Sequence, residues 1–468
     1  MERALVSSST SAPTLWESRS ILGGFAQAYR AGAGTPARRT STARGVMQPT
    51  GAVGMEPTLG VNDDGWIFVN TWYGPSDVLR SKDQGETWRV VSPLRSGPRP
   101  TSHDPYLYVD PRTGRLFSAD LQRNLECHAI SHSDDGGETW ITSALCGEVD
   151  HQTLFAGAPA LSVPTVYPNV VYYCAVNVGV GPNSFGTTCF KSLDGGIVFT
   201  PTGSPPFVGF DPSNDKGNFG VAGWCGGGTH HGVVDGDGTI YLPRTYCGTP
   251  TLAISDDEGA TWRHVVVADN GTSIGDGEYQ HDAGVAVDGS GNIYVTWIAQ
   301  DKLPYLAISK DGGASFSEPV MVAPPGITET AVPGAIEVGR DGSIALAYMG
   351  SENSPFPTKG DCTIAQEAFC PSEADYYEVD WNGYITVTTD ALAKQPRFIT
   401  VRVNPRSAPL EKGTCFQRCG DIGDFIDITI DGKGLPWAAF VRPCTGSTQC
   451  STAGEVVVAS IRNGPRLR

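Results

Sequence analysis

Short apolar segments alternate with turns rich in aspartate and glycine along most of the chain. A typical unit is an apolar strand, the turn Asp63-Asp64-Gly65 and a second apolar strand. No segment follows the 3.6-residue period of a long amphipathic helix. The unit recurs seven times, with its turns near residues 64, 112, 168, 236, 289, 341 and 432. The pattern therefore predicts an all-β fold of repeated antiparallel strand pairs.

A second motif, Ser-x-Asp-x-Gly-x-Thr-Trp, follows five of these strand pairs. Complete copies begin at Ser81, Ser133 and Ser255, and looser copies begin at Ser192 and Ser309. The aspartate can accept hydrogen bonds from turn amides, the glycine permits positive φ, and the aromatic ring can pack between sheets. Each unit then supplies a four-stranded antiparallel blade. Because closing blades into a ring buries the faces that one blade would expose, we expect a β-propeller with seven blades, or six as the alternative.

These motifs resemble the Asp-box, or bacterial neuraminidase, repeats of the sialidase superfamily over roughly residues 50–461. The resemblance implies that the Asp-box turns lie on the outside, away from an active site. The superfamily contains sialidases, other glycosidases and non-enzymatic binding propellers. Sialidases open the first blade with an Arg-Ile-Pro motif, and the matching stretch here is Met55-Glu56-Pro57. Because Glu56 would repel a sialic acid carboxylate in place of that arginine, this departure argues against a true sialidase.

Residues 1–48 are rich in Ser, Thr, Ala, Gly and Arg, so we expect a disordered segment followed by a propeller over residues 49–468. No continuous apolar segment of signal-peptide type is evident, and no run is long and apolar enough to span a bilayer. The 12 cysteines fall into couples that are near in sequence, which favours disulfides and an extracellular location. The couples are Cys127/Cys146, Cys174/Cys189, Cys225/Cys247, Cys362/Cys370, Cys415/Cys419 and Cys444/Cys450.

The net charge of −17 disfavours a nucleic-acid partner, because an acidic surface repels phosphate. The charge fits a soluble protein, which we expect to be a monomer. An acidic surface could also attract divalent cations.

Polar residues open the first strand of each unit and form the candidate site. In such a blade the innermost strand comes first, so its start faces the central channel. The nominated catalytic residues are Glu56, Asp104, His231, His281, Asp282 and Asp424. The nominated substrate-binding residues are His103, His151, Trp224, Arg244 and Tyr246. A divalent cation, either calcium or a transition metal, could be held by Glu56, Asp104, His231 and His281.

Three functions are compatible with such a cluster. Two carboxyl groups could act as acid and base on a glycosidic bond, which gives a secreted glycan hydrolase. Oxygen and imidazole ligands could instead hold a metal for hydrolysis or elimination. The third alternative is a non-catalytic propeller that binds carbohydrate or protein. The competing structural explanation is that strand ends are polar because the channel holds water.

Overall fold

The chain is an all-β propeller in its computed structural model. The structure describes residues 16–17, 20–31, 42–72, 76–93, 102–122, 127–147, 149–162, 165–178, 184–213, 223, 225, 228–269, 283–354, 379–413, 423–443 and 454–468. Within these ranges the regular secondary structure consists of β-strands. No helix among the described residues is long and apolar enough to cross a membrane.

Five sheets are single blades whose strands run antiparallel from the channel outward. The first contains β4 (Leu59–Val61), β5 (Ile67–Trp72), β6 (Ser76–Ser81) and β7 (Thr87–Val90), with β1 (Trp16–Glu17) added outside β7. The second contains β8 (Ser102–Val109), β9 (Leu116–Gln122), β10 (Cys127–Ser133) and β11 (Ile141–Cys146). The third contains β12 (Val149–Gly157), β13 (Val170–Asn177), β14 (Thr187–Ser192) and β15 (Thr200–Pro201). The fourth contains β16 (Val233–Val234), β17 (Ile240–Tyr246), β18 (Thr249–Ser255) and β19 (Arg263–Val266). The fifth contains β20 (Gly284–Val287), β21 (Ile293–Ile298), β22 (Pro304–Ser309) and β23 (Val320–Met321).

The sixth sheet has ten strands and contains two four-stranded units. One unit is β24 (Glu329–Val338), β25 (Ile344–Ser351), β26 (Asp380–Thr388) and β27 (Arg397–Arg402), with β28 (Glu411–Lys412) paired to β26. The other is β29 (Asp427–Ile430), β30 (Pro436–Arg442), β31 (Glu455–Arg462) and β3 (Arg44–Val53). The strand β2 (Ile21–Arg30) joins the two units, because it pairs with both β27 and β3.

The first strands of all units surround the channel. In order, β4, β8, β12, β16, β20, β24 and β29 each contact the next, and β29 contacts β4. The prediction of a β-propeller of four-stranded antiparallel blades is confirmed. The described residues form six hydrogen-bonded sheets because β2 fuses two units, whereas seven first strands line the channel.

Part of the N-terminal region forms strands, which differs from the expected disorder up to residue 48. The strand β3 pairs with β31 and is the outermost strand of the last unit. Val46 and Met47 are almost fully buried there. An early segment of the chain thus closes the ring by pairing with the last strand. Because polar residues flank its short apolar stretch, the sequence does not mark it as a strand. Residues 1–15, 18–19 and 32–41 lie outside the described residues.

The repeated Ser-x-Asp-x-Gly turns join the third and fourth strands of the first five blades. In the first turn, Ser81 Oγ donates to Asp83 Oδ1 at 2.8 Å and accepts from the Gly85 amide at 2.8 Å. Thr87 donates to the Asp83 carboxylate through its amide at 2.8 Å and its hydroxyl at 2.6 Å. Because strands alternate in direction, these turns lie at the end of the propeller opposite the starts of the first strands. The motif tryptophan Trp88 is fully buried in a cluster that includes residues of β30 and β31.

Three of the predicted disulfides are present. They join Cys127 to Cys146, Cys174 to Cys189 and Cys225 to Cys247. The first two staple neighbouring strands of one blade, since these cysteines face each other across β10 and β11 and across β13 and β14. The other six cysteines lie outside the described residues.

Candidate functional site

One equivalent position in successive first strands carries an ionisable residue. The strands can be aligned on Leu59, Leu107, Leu154 and Val233, which pair with the second strand of their own blades. Three residues before these positions stand Glu56, Asp104, His151 and His230. All four are at the same end of the channel, which is called the channel mouth below. Asp282 occupies this position before Val285 but, like His281, lies outside the described residues.

The backbone at three of these positions is in the left-handed region. The φ angles are 51° at Glu56, 46° at Asp104 and 47° at His151. The pairing register shifts between His103 and Tyr106 and between Asp150 and Thr153, so bulges lie at the second and third positions. A left-handed conformation costs a residue other than glycine roughly 1–3 kcal/mol, and such residues cluster at functional sites.

Glu56 is fully buried and held by the last unit of the ring. Its Oε1 accepts a hydrogen bond of 3.1 Å from the Asp424 amide. Gly423, with φ of 83°, packs against the same side chain, since a Cβ atom added there would lie 2.4 Å from Glu56 Cγ. The first and last units therefore fix this carboxyl group between them.

Asp104, Asp150 and His151 form a compact group beside Glu56. One potential metal-binding atom of each residue, a carboxylate oxygen or an imidazole nitrogen, lies within 4.8 Å of those of the other two. Burial raises the pKa of Asp104 well above its usual value of 3.8, and the negative charges of Glu56 and Asp150 raise it further. Burial alone would lower the pKa of His151, but Asp424 and Asp104 outweigh it and raise that pKa well above 6.5. The Nε2 atom of His151 lies 3.4 Å from Asp424 Oδ2.

A pair of stacked histidines continues the site into the channel. The rings of His230 and His231 lie 4.3 Å apart, and His231 meets the Tyr106 ring edge-on at 4.9 Å. Burial, and then the charge of His151, lowers the pKa of His230 to about 4. Burial also lowers the pKa of His231 well below 6.5. Both rings are therefore neutral at pH 7.

Asp427 lies next to His231, with Oδ1 3.4 Å from Nδ1. It accepts backbone hydrogen bonds from Leu59 at 2.9 Å and Ile428 at 2.7 Å. Burial raises the pKa of Asp427 to about 8. Since Asp427 is mostly protonated and His231 is neutral at pH 7, their contact is not an ion pair at that pH.

The channel below these residues encloses a cavity of about 300 Å³. First-strand residues line it from Tyr106 and His231 at the mouth to Asp63 and Asp110 at the opposite end. Glu337 also lines it, and burial raises the pKa of Glu337 to about 7 against the opposing charge of Arg468. The cavity thus extends as far as the contact between His231 and Asp427.

The structure brings together only part of the nominated site. Glu56, Asp104, His151, His231 and Asp424 lie in or beside the channel mouth. His281, Asp282 and Trp224 lie outside the described residues, and His103 is described only through its backbone in β8.

Arg244 and Tyr246 are on β17, at the contact between the third and fourth blades. Arg244 is fully buried and donates to Thr187 Oγ1 at 2.9 Å and to the Phe185 carbonyl at 2.6 Å. The guanidinium carbon is 5.9 Å from the centroid of the Tyr246 ring. Burial raises the pKa of Tyr246 to about 12. The guanidinium of Arg244 is thus engaged by protein groups rather than presented to the channel mouth.

The grouping of potential metal ligands differs from the expected set. Of the three nominated ligands that the structure describes, Glu56, Asp104 and His231, only Asp104 belongs to the compact group, which Asp150 and His151 complete. His231 is in contact with Asp427 instead. The sequence pattern alone does not single out Asp427. Asp427 stands one residue before the aligned apolar position, where Tyr106 and Thr153 stand in the second and third blades.

No protein-family model matches the chain, and no curated protein matches its sequence. Solved structures do align with its fold. A GH93 α-L-arabinofuranosidase of Fusarium graminearum, in complex with arabinobiose, has 11% identity and a TM-score of 0.44, covering 96% of this chain and 98% of that chain. A variant of the NanB sialidase from Streptococcus pneumoniae has 10% identity and a TM-score of 0.47, covering 95% and 94%. A protein of unknown function from Dyadobacter fermentans has 14% identity and a TM-score of 0.42, covering 97% and 99%. At these values the likeness concerns the fold alone.

Proposed function

We propose that the chain is an extracellular, glycan-active hydrolase of the Asp-box propeller type, working at the channel mouth. The observation that carries this proposal is the left-handed backbone at Glu56, Asp104 and His151 in three neighbouring blades. Glycine would adopt this conformation without strain. An ionisable residue at each position therefore points to a requirement for the side chain itself.

Hydrolysis of a glycosidic bond needs a proton donor for the leaving oxygen and a second carboxylate as base or nucleophile. Glu56 and Asp424 supply two carboxyl groups from the first and last units, joined through the Asp424 amide. We assign proton exchange with the glycosidic oxygen to Glu56. We assign the second role to Asp424, whose Oδ2 atom lies 3.4 Å from the Nε2 atom of His151.

The charge of the mouth bears on the substrate class. Four carboxyl groups, those of Glu56, Asp104, Asp150 and Asp424, meet there beside one imidazole with a raised pKa, that of His151, so acidic groups outnumber basic ones and disfavour an anionic sugar. Asp150 and Asp424 are half-buried, whereas Glu56 and Asp104 are buried, which makes the side of the cluster with Asp150 and Asp424 the expected entrance. We therefore expect a neutral glycan rather than a sialoside.

Two structural features support the extracellular location and the Asp-box type in this proposal. Cross-strand disulfides such as Cys174–Cys189 are typical of an oxidising, extracellular compartment. The same hydrogen-bond pattern recurs at Asp83, Asp135, Asp257 and Asp311, which supports the proposed Asp-box type.

The test is a panel of aryl glycosides and oligosaccharides, including an arabinofuranoside and a sialoside, assayed by release of the aglycone or reducing end. On the best substrate, Glu56→Gln should lower kcat by about 100-fold or more, because general acid–base catalysis contributes 10²–10⁴-fold. The matched control is Asp64→Asn, an exposed acid in the β4–β5 turn at the opposite end. Glycan binding without turnover on any substrate would instead identify a binding propeller.

A further inference from the structure

We infer that the channel mouth binds one divalent cation between Asp104, Asp150 and His151, and that the fitting class is a first-row ion that accepts imidazole, such as Mn²⁺ or Zn²⁺. This site uses the same mouth as the proposed hydrolase. It can be tested without any glycan, so it does not depend on that function.

The geometry is close to that of a metal site. Ligand atoms 2.0–2.2 Å from an ion are at most about 4.4 Å apart. In the protein, the three ligand-type atoms already lie within 4.8 Å of one another. A small rotation of the carboxylates would therefore close the site around an ion. The donor set of two carboxylates and one imidazole suits Mn²⁺ or Zn²⁺ better than Ca²⁺, which takes six to eight oxygen ligands.

The residue that contacts the proposed ligand His151 also fits a metal site. Histidines that ligate metals usually donate their other ring N–H to a carboxylate, which fixes the tautomer. His151 Nε2 lies 3.4 Å from Asp424 Oδ2. A cation would displace the proton from Nδ1 and bind its lone pair, while Nε2 keeps the proton that faces Asp424.

Two buried groups with unused polar atoms flank the cluster and provide independent support. Gln152 is 4% exposed, and its amide nitrogen donates to the Asp104 carbonyl. Its Oε1 atom is buried and has no hydrogen-bond partner among the described residues. His230 is also 4% exposed, and neither of its ring nitrogens has a hydrogen-bond partner in the described part of the chain. Buried polar atoms are nearly always satisfied, and water bound to an ion at this cluster would give these atoms hydrogen-bond partners.

The experiment is calorimetric titration of the EDTA-treated, dialysed full chain with Mn²⁺, Zn²⁺ and Ca²⁺, alongside thermal unfolding. We expect binding of one Mn²⁺ or Zn²⁺ per chain and a higher Tm. Asp104→Asn and Asp150→Asn should each weaken binding at least tenfold. Asparagine tolerates the left-handed backbone at position 104, and circular dichroism would verify folding of both variants. Asp424→Asn should weaken binding by about 10–100-fold, as loss of an outer partner does.

Asp64→Asn is the control and should keep the wild-type Kd. Absence of binding by all three cations at 1:1 stoichiometry, or an unchanged Kd in folded Asp104→Asn and Asp150→Asn, would overturn the cation site. Glycan hydrolysis by a chain that binds no cation would remove this inference and keep the hydrolase. Stoichiometric cation binding without hydrolysis of any glycan would do the reverse.

Discussion

Gly423→Ala is the most informative single change to the channel mouth, because it acts on Glu56 without altering any ionisable group. An added Cβ would lie 2.4 Å from Glu56 Cγ and 2.6 Å from Oε1. Ordinary contact begins near 3.4 Å. The Glu56 side chain would therefore have to move by about 1 Å, a displacement that can cost about 100-fold in rate when it misplaces a reacting group.

Gly65→Ala is the matched control for backbone strain. Gly65 has φ of 77°, close to the 83° of Gly423, but no atom lies within 4 Å of an added Cβ. Both substitutions should lower the free energy of unfolding by roughly 1–2 kcal/mol, the cost of a left-handed alanine. Only Gly423→Ala adds the steric displacement of Glu56.

The assay measures kcat/KM on the best substrate of the glycan panel and the midpoint of urea unfolding for both variants. We expect about a 100-fold lower kcat/KM for Gly423→Ala and a change within about twofold for Gly65→Ala. Equal activity of the two variants would refute the reasoning, because backbone strain alone would then explain every effect.

Two further predictions concern stability. Burial raises the folded-state pKa of Glu337 to about 7 from 4.5, so its contribution to stability is fully present below pH 4.5 and is lost as pH rises through 7. Glu337→Gln should therefore have the wild-type stability near pH 4 and be more stable than the wild type at pH 8 by roughly 1–3 kcal/mol. The lower value applies if channel water screens the charge. Identical midpoints of urea unfolding for the two proteins at pH 8 would contradict this prediction. Asp83→Asn should lower the free energy of unfolding at pH 7 by about 1–3 kcal/mol, because the carboxylate accepts from Ser81 and twice from Thr87. Desolvation raises the pKa of Asp83, but hydrogen bonds from Thr87 and Ser81 outweigh it and lower that pKa below 3.8. The effect should therefore begin to fade as pH falls below 3.8 and disappear below the folded-state pKa, and an effect of the same size at pH 5 and pH 2 would argue against it.

The repeats made the fold predictable because each motif encodes a local structure. The turn at Asp63-Asp64-Gly65 and the bonds around Asp83 depend only on residues close in sequence. Closure of the ring depends on pairing between β3 and β31, which are about 400 residues apart. No local pattern encodes such a pairing, so the segment 44–48 was expected to be disordered.

The candidate site was predictable to the extent that it repeats by blade. Glu56, Asp104 and His151 occupy one equivalent position, which the starts of the first strands reveal. The contact of Asp424 with His151 joins the last unit to the third blade, and sequence spacing does not report such a contact. Arg244 was nominated for its charge near a strand end. Its burial against Thr187 and Phe185 arises from packing between blades, which the sequence of one blade does not reveal.

The central claim is that three neighbouring blades hold Glu56, Asp104 and His151 at one working site. The most direct measurement is the turnover of Glu56→Gln, Asp104→Asn and His151→Gln, compared with Asp64→Asn, on a single glycan substrate. We predict that all three lose at least about 100-fold in kcat while remaining folded, and that Asp64→Asn keeps the wild-type rate. Turnover within about twofold of wild type in the three folded variants would contradict the claim.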